Sequence, residues 1–141
     1  MSRSKFNVSS DKTKRTYDNI VFDSELEMKY YRDVILPMYK NGEITYYELQ
    51  KKYELQPKFK YENQSVRAID YVADFFIIYK NGNQEVIDTK GMADSVAKLK
   101  RKLFWYKYPD VTYKWLTYVK KYGGWVEYDF VQKQRRANKK K

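Results

Sequence analysis

The 141-residue chain contains no histidine and no cysteine. Without imidazole, it lacks the side chain that serves most often as a general base, and without thiol it cannot perform covalent cysteine chemistry. The two absences together also exclude zinc sites built from Cys and His. The chemistry that remains is that of carboxylates and lysines, and carboxylate oxygens are suitable ligands for hard ions such as Mg²⁺ and Mn²⁺.

Long hydrophobic runs are also lacking. The longest strongly apolar run, Phe75 to Tyr79, is far shorter than the ~20 residues that span a bilayer. The first fifteen residues mix Ser, Lys and Arg and lack the apolar stretch of a secretory signal. We therefore expect a cytoplasmic protein without a membrane partner.

Acidic residues are scarce relative to basic ones. The chain has 29 Lys and Arg against 18 Asp and Glu, which gives a formal charge of +11. Six of the basic residues lie in the last eleven positions, where there is no acid. This balance favours a polyanionic partner, because neutralising phosphates releases their counterions. We predict a nucleic-acid partner, and the residues themselves do not distinguish DNA from RNA.

The length fits one domain with a sizeable core. Residues 1–19 are polar and lack a sustained apolar period, so they are interpreted as a flexible basic N-terminal arm. Residues 20–130 are predicted to form the single domain. Residues 131–141 are predicted to be a basic disordered tail.

Two amphipathic segments predict helices. The first runs from about Asp23 to Leu36 and begins with a Ser-x-x-Glu capping box that joins Ser24 to Glu27. Pro37 is expected to end it, because proline disfavours helical geometry in the preceding residue. The second runs from about Ser95 to Lys107. Each carries an apolar stripe that we expect to be buried: Leu26, Tyr30 and Val34 in the first, and Val96, Leu99, Leu103 and Tyr106 in the second.

The strand signal is clearest from Val66 to Tyr79, where both sides are largely apolar, as in a central strand covered on each face. Other strands are predicted over Glu43–Tyr61, Glu85–Thr89, Val111–Val119 and briefly through Trp125 to Tyr128. The order α, β, β, β, α, β predicts a fold of the α/β class, with an α+β mixed sheet flanked by helices.

The loop between the second and third strands decides which side chains share a face. If Asn81-Gly82 alone forms a two-residue turn, Asp74 and Asp88 point to opposite faces of the hairpin. If the loop has three residues, 81–83, both aspartates and Lys90 lie on one face. A functional interpretation requires the three-residue loop or an equivalent bulge.

On one face, Asp74, Asp88 and Lys90 would bring two carboxylates and an ammonium group together. The carboxylates could hold divalent ions that polarise a phosphate and lower the pKa of a bound water, while Lys90 offsets developing charge. Glu27 could add a ligand from the first helix, although a capping-box glutamate needs no metal. Asp70 is the alternative ligand, and Asp88 with Lys90 could instead form a plain salt bridge.

The chain resembles the PD-(D/E)XK nuclease superfamily, and within it a phage-associated family of small proteins similar to Holliday-junction resolvases. The resemblance covers about residues 20–110. Its motifs are Phe22-Asp23-Ser24-x-x-Glu27, Leu55-Gln56-Pro57-Lys58-Phe59, Tyr71-Val72-Ala73-Asp74-Phe75, Asp88-Thr89-Lys90-Gly91 and Lys98-Leu99-Lys100-Arg101-Lys102-Leu103-Phe104. Ala73 stands where the superfamily name expects proline.

The resemblance implies a restriction-endonuclease-like αβββαβ core and a Mg²⁺- or Mn²⁺-dependent DNA endonuclease acting on branched or recombination intermediates. Asp74, Asp88 and Glu27 would be metal ligands, and Lys90 the catalytic lysine. The nucleic-acid-binding residues would be Lys98, Arg101, Lys102 and Gln56.

Three further expectations follow from this resemblance. A homodimer is expected, because two symmetric cuts are most easily made by two equivalent sites. The compartment would be the host cytoplasm if the chain is phage-encoded. The alternatives are a catalytically inactive DNA- or RNA-binding module with the same fold, and a ribonuclease.

Overall fold

The computed structural model describes residues 11–139, which form a five-stranded mixed sheet with helices on both faces. The sheet consists of β3 (Ile44–Gln56), β6 (Ile69–Tyr79), β7 (Gln84–Thr89), β8 (Thr112–Val119) and β9 (Gly124–Glu127), in that spatial order. The β7–β8 pair is parallel and the other pairs are antiparallel. Two short hairpins lie outside it: β1 (Thr16–Tyr17) with β2 (Ile20–Val21), and β4 (Phe59–Tyr61) with β5 (Gln64–Val66).

The helices are α1 (Glu25–Tyr30), α2 (Leu36–Lys40), α3 (Ser95–Lys107) and α4 (Tyr128–Lys139). The α1–α2 segment covers one face of the sheet, where Tyr31 and Ile35 pack with Phe75 and Ile77 of β6. On the other face, Phe104 of α3 packs in a second apolar group. The predicted fold class, a mixed α+β sheet between helices, is confirmed and is compatible with a nuclease-like core.

The ordered chain begins earlier than the sequence indicated. Residues 11–19 were expected to belong to a flexible arm, but they form a 3₁₀ turn, Lys12–Arg15, and the β1–β2 hairpin. Asp18 and Asn19 adopt left-handed conformations in the two-residue turn of that hairpin, and Arg15 Nη1 donates to the Phe22 carbonyl at 2.6 Å. Residues 1–10 of the expected arm lie outside the described part of the chain.

Pro37 does not end the first helix. A π-helical turn, Tyr31–Ile35, connects α1 to α2, and the helical path continues to Lys40. In this wider turn the Leu36 amide donates to the carbonyl of Tyr31, five residues earlier. The widening accommodates the proline ring, which would clash with the carbonyl four residues before it in a regular α-helix.

The second helix has the predicted bounds, with the Asp94 carboxylate accepting from the Ala97 amide as its cap. The predicted buried stripe is wrong, because Val96, Leu99 and Tyr106 are more than half exposed and Leu103 is partly buried. The face toward the sheet lies one residue further along and contains Phe104, whose ring lies 4.7–5.5 Å from three tyrosine rings, Tyr53, Tyr71 and Tyr113. Both stripes have helical spacing, and aromatic packing against the sheet selects the one with Phe104.

The predicted disordered tail is also wrong for residues 131–139, which belong to α4. Tyr128 and Val131 are the buried residues of this helix. Tyr128 packs on Trp115 with ring centroids 5.6 Å apart, and its hydroxyl accepts from the Ala93 amide. Residues 140 and 141 lie outside the described part. Within residues 11–139, no helix is both long and apolar enough to cross a membrane.

The β6–β7 loop has three residues, but not those predicted from the sequence. Tyr79 and Asn83 close it through the Tyr79 amide and the Asn83 carbonyl, so the loop is 80–82, with Gly82 left-handed at its end. The register, which pairs Phe75 with Ile87, therefore sets Asp74 opposite Asp88 when continued by one residue. The predicted loop of 81–83 is shifted by one position.

Candidate functional site

The two aspartates meet where β6 and β7 stop pairing. The Asp74 amide donates to Asp88 Oδ1 at 2.9 Å, and the Thr89 amide donates to Asp74 Oδ2 at 3.0 Å. Each carboxylate therefore binds the backbone of the opposite strand in place of a ladder hydrogen bond. Both side chains are buried. As the functional interpretation required, the structure brings Asp74 and Asp88 together.

The strands separate here because β7 remains bound to the next strand. The Lys90 amide donates to the Leu116 carbonyl at 2.8 Å, so β7 continues alongside β8 beyond its last residue pair with β6. On β6, Ala73 packs toward α3 whereas Phe75 packs toward α1. Strict alternation would put these two residues on one face. The strand therefore changes face at Asp74, and the irregularity opens the sheet at the two carboxylates.

Gln50 lies opposite Asp74 on the other side, between the pairs Leu49–Phe75 and Lys51–Ala73. Its backbone is left-handed, with φ of +58°, which is uncommon for a residue other than glycine. Its Nε2 donates to Glu27 Oε2 at 2.9 Å. A strained conformation beside two buried carboxylates is a feature that clusters at functional sites.

Glu27 is directed at the sheet, with 1 % of its surface exposed. Its amide donates to Ser24 Oγ, which is the predicted cap, while its carboxylate accepts from Gln50 of β3. The capping explanation therefore accounts for the serine, and the glutamate has a separate role across to the sheet. Glu27 thus binds Gln50, which lies opposite Asp74 in the β3–β6 register.

Lys90 lies beside Asp88, with Nζ 3.4 Å from Asp88 Oδ2 and 5.2 Å from the centre of the Trp115 ring. Arg101 stacks against the same tryptophan, with its guanidinium carbon 3.8 Å from the ring centre. Cations over an indole are attracted by its negative faces. Trp115 is thus a common support for the candidate catalytic lysine and for α3.

Two tyrosines lie close to Asp88, the buried Tyr71 and the partly buried Tyr113. The Trp115 indole donates to the Tyr113 hydroxyl at 2.7 Å. Burial, followed by the negative charge of Asp88, raises the pKa of Tyr71 well above its ordinary range, and the same two causes raise that of Tyr113. Both phenols therefore stay protonated at neutral pH and add no charge beside the carboxylates.

A cleft of about 410 Å³ opens over these residues, between the N-terminal ends of α1 and α3. Asp74, Asp88, Lys90 and Gln50 line it, together with Asp70. Glu27 is not among the described residues that line it. A larger cavity of about 640 Å³ lies elsewhere, under α1 and α4. We assign the candidate site to the smaller cleft, because the paired carboxylates open into it.

The remaining predicted binding residues differ in how accessible they are. Lys98 and Lys102 are exposed on α3. Arg101, with 17 % of its side chain exposed, stacks on Trp115 and binds both oxygens of Asp129 at 3.1 Å. It connects α3 to α4 and is engaged within the protein.

Asp70, the alternative metal ligand, and Gln56, a predicted nucleic-acid-binding residue, both have partners within the protein. Asp70 lines the cleft, and its Oδ2 lies 3.5 Å from Lys52 Nζ. Gln56 donates to the Arg67 carbonyl at 3.3 Å and thereby ties the last residue of β3 to the segment that connects β5 to β6.

Sequence reasoning missed Gln50 and Trp115. A left-handed glutamine in the middle of a strand has no sequence signature, because glycine or asparagine marks such positions. In the sequence, Trp115 is indistinguishable from any other aromatic residue of a strand. Only the tertiary structure shows that Lys90 and Arg101 lie over its ring.

The site can be tested for its fit to a metal ion. Within residues 11–139, no group of three acidic side chains is arranged to hold an ion. Two opposed carboxylates, Asp74 and Asp88, are present, and Mg²⁺ commonly binds through one or two carboxylates, keeping several waters and binding substrate phosphates. Two buried carboxylates facing each other also favour a compensating cation. The donor set therefore fits Mg²⁺ or Mn²⁺ and does not form a complete protein cage.

The chain belongs to the family described as "Protein of unknown function (DUF1064)", whose sequence profile matches residues 3–124. The match spans both aspartates, Lys90 and all of α3. No curated protein shows significant similarity to the chain.

Proposed function

We propose that this member of the DUF1064 family is a divalent-metal-dependent DNA endonuclease of the PD-(D/E)XK type. The observation that carries the proposal is the opposition of Asp74 and Asp88 at the splayed end of β6 and β7, with Lys90 3.4 Å from Asp88. The excess of basic residues supports a nucleic-acid substrate. DNA rather than RNA, and branched rather than linear DNA, rest on the resemblance alone.

Asp74 and Asp88 would hold the ion. When bound, Mg²⁺ or Mn²⁺ supplies Lewis-acid polarisation of a phosphate oxygen and makes a nearby water more acidic. Lys90, held between Asp88 and Trp115, supplies an ammonium group that offsets charge developing on the phosphate. Glu27 acts through Gln50, which it positions at the wall of the cleft.

The test is a cleavage assay on linear, flapped and four-way DNA in Mg²⁺. We expect the wild type to cut at least one substrate, and Asp88→Asn and Lys90→Ala to lose about a hundred-fold or more in rate. The matched control is Glu85→Gln, which removes another buried carboxylate of β7 that also has a lysine partner. Its rate should stay near that of the wild type.

The second candidate is a catalytically inactive nucleic-acid-binding module, favoured by the lack of a third acid in the cluster within residues 11–139. It predicts that all four proteins bind DNA or RNA and that none cuts either in Mg²⁺ or Mn²⁺. Cleavage of RNA alone, lost in Asp88→Asn, would instead identify a ribonuclease.

We also propose that the active species is a homodimer, because paired cuts on a branched substrate need two equivalent sites. Light scattering on the complex with four-way DNA should give two chains per junction. One chain per junction would contradict this.

A further inference from the structure

The β4–β5 hairpin is an exposed two-stranded ribbon that pairs only with itself among the described strands. Its three residue pairs are Phe59–Val66, Lys60–Ser65 and Tyr61–Gln64. Glu62 and Asn63, with φ of +48° and +67°, form the tight turn at its tip. Two left-handed central residues match the twist of a hairpin, so the ribbon has a defined shape.

The two sides of this ribbon differ in chemistry. Phe59 and Tyr61 lie on one side, since residues two apart in a strand share a face, and they are 44 % and 63 % exposed. Lys60 lies on the other side. Continuing the register by one pair adds Lys58 opposite Arg67 to that side, and all three cations are exposed. The ribbon therefore has an aromatic side and a basic side.

The ribbon lies in the chain between β3 and β6, the strands that carry Gln50 and Asp74 of the candidate site. It connects β3 to β6, and Gln56 fastens its base by donating to the Arg67 carbonyl. Asp70 and Val72, which follow the base along β6, line the cleft. Asp74 is eight positions along the chain from Val66, which limits the distance between them to about 28 Å. A substrate of ordinary duplex width in the cleft therefore lies within reach of the ribbon.

Neither side of the ribbon is used by the described part of the fold. No ion pair within residues 11–139 involves Lys58, Lys60 or Arg67, and no ring contact in that range involves Phe59 or Tyr61. Exposed cations match a polyanion, and exposed aromatic faces match the π-faces of bases. The two sides together fit a nucleic acid, because every nucleotide offers both a phosphate and a base face.

We propose that the β4–β5 ribbon is a nucleic-acid-binding arm, in which Lys58, Lys60 and Arg67 contact phosphates while Phe59 and Tyr61 stack on unpaired bases. The proposal rests on the proposed function in that the partner is a nucleic acid, but it does not require cleavage. Bases inside an uninterrupted duplex are already stacked, so the aromatic side contributes only where bases are unpaired. The arm thus selects DNA with a gap, flap or open branch over linear duplex.

The charge half of the proposal is tested by anisotropy of labelled gapped DNA in EDTA, over a series of salt concentrations. Lys58→Ala/Lys60→Ala should lower the slope of log affinity against log salt by about two, and the affinity by about ten-fold. The matched control is Lys40→Ala/Lys80→Ala, which removes two exposed lysines near the opposite end of β3 and β6. The control slope should equal that of the wild type.

The aromatic half is tested by Phe59→Ala/Tyr61→Ala on gapped and on linear duplex DNA. We expect about ten-fold weaker binding to gapped DNA, an unchanged salt slope and little change on linear duplex. The control is Tyr39→Ala/Tyr46→Ala, two half-exposed tyrosines away from the ribbon. All four variants alter exposed residues, and circular dichroism checks their folding.

The outcomes separate this proposal from the proposed function. Ribbon variants that bind both DNAs like the wild type overturn the arm, even if the wild type cuts DNA. Ribbon-dependent binding by a wild type that cuts nothing supports the arm and contradicts the nuclease. Loss of self-association in Phe59→Ala/Tyr61→Ala with unchanged DNA binding would assign the aromatic side to a second copy of the chain and also overturn the arm.

Discussion

The two ends of strand β7 each carry a buried acid with a lysine partner, and they differ in what else is there. At one end Glu85 lies 3.3 Å from Lys114, and at the other Asp88 lies 3.4 Å from Lys90. Glu85 Oε1 also accepts from the Tyr79 hydroxyl at 2.5 Å, so both of its oxygens are satisfied within the protein. Both oxygens of Asp88 are also engaged, Oδ1 by the Asp74 amide and Oδ2 by Lys90, but Asp88 has in addition a second carboxylate, that of Asp74, beside it on the opposite strand.

The difference shows that an acid–lysine pair is not by itself a candidate site. Around Glu85 the β6–β7 ladder is regular, and a carboxylate, a phenol and an ammonium group balance each other. Around Asp88 the ladder ends and the carboxylate of Asp74 joins that of Asp88 beside Lys90. A pair of carboxylates is the arrangement expected to attract a divalent ion, whereas a single acid–lysine pair is not.

The largest predicted effect is a difference in how much Mn²⁺ stabilises variants at the two ends of β7. Wild-type protein should gain about 2.7 kcal/mol of stability at Mn²⁺ concentrations a hundred times the dissociation constant. Asp74→Asn should lose that gain, whereas Glu85→Gln should keep it. The measurement is thermal unfolding with and without Mn²⁺.

Without metal, the same two substitutions should change the stability of the protein in opposite directions. Asp74→Asn should be more stable than wild type by about 1 kcal/mol, because it removes like-charge repulsion and its amide oxygen still accepts from Thr89. Glu85→Gln should be less stable by up to about 1 kcal/mol, because the half-exposed Lys114 loses its partner. An equal Mn²⁺ response in the two variants would show that the ends do not differ as argued.

A second prediction separates two basic residues of α3. Arg101→Ala should cost about 1–2 kcal/mol of stability, because the guanidinium stacks on Trp115 and binds Asp129. Lys102→Ala should leave stability within about 0.5 kcal/mol and weaken DNA binding, because its exposed ammonium is available to a phosphate. Urea denaturation and DNA binding of both variants provide the check. Weaker DNA binding by Arg101→Ala at unchanged stability would show that the arginine contacts substrate.

A third prediction concerns the strained residue of the cleft wall. Gln50→Ala keeps the left-handed backbone and loses the hydrogen bond to Glu27, whereas Gln50→Gly loses the same bond and relieves the strain. The glycine variant should therefore be the more stable by about 1 kcal/mol. Chemical denaturation compares the two. Equal stabilities would mean that the conformation at Gln50 is not strained.

The smallest predicted effect concerns the buried tyrosines, whose contribution to the pH dependence of stability is absent at neutral pH and appears only in alkali. Burial, followed by the charge of Glu48, raises the pKa of Tyr53 to about 12, and burial raises that of Tyr30 further. A phenol whose pKa is higher in the folded than in the unfolded chain contributes stability that is complete below pH 10 and is lost as pH rises through 12. Unfolding followed by tyrosine absorbance should show stability that is constant from pH 7 to 9 and falls above 10. Constant stability to pH 12 would contradict the burial argument.

Several parts of this fold could be predicted from sequence because their signals are local. The apolar spacing indicated the bounds of α3, and the capping box at Ser24 indicated the start of α1. The long apolar run ending at Tyr79 identified the central strand β6. The predicted tail, residues 131–141, was wrong in its described part because α4 is held by the assembled fold, in which Tyr128 packs with Trp115 and Val131 becomes buried.

The candidate site was predictable in its residues but not in its geometry. Asp74, Asp88 and Lys90 were identified by type and spacing, and a three-residue loop was expected. The observed loop, 80–82, and the predicted loop, 81–83, have the same length and both contain Asn81 and Gly82. They differ only in whether Lys80 or Asn83 is the third loop residue, and the sequence does not decide between the two. The β4–β5 ribbon was missed because its turn, Glu62-Asn63, lacks the glycine that usually marks such a hairpin.

The sequence by itself determined the chemistry open to this protein. With neither imidazole nor thiol, and with Asp74 on one strand and Asp88 on the next, the sequence favours a reactive centre made of carboxylates and lysine. The tertiary structure decided which carboxylates meet, because β8 holds β7 while β6 changes face at Asp74. It also decided that Glu85, which is buried on the same strand, is neutralised within the protein. The local sequence indicates where helices and strands form and which reactive side chains they carry. Strand register and charge compensation depend instead on residues far apart in the chain.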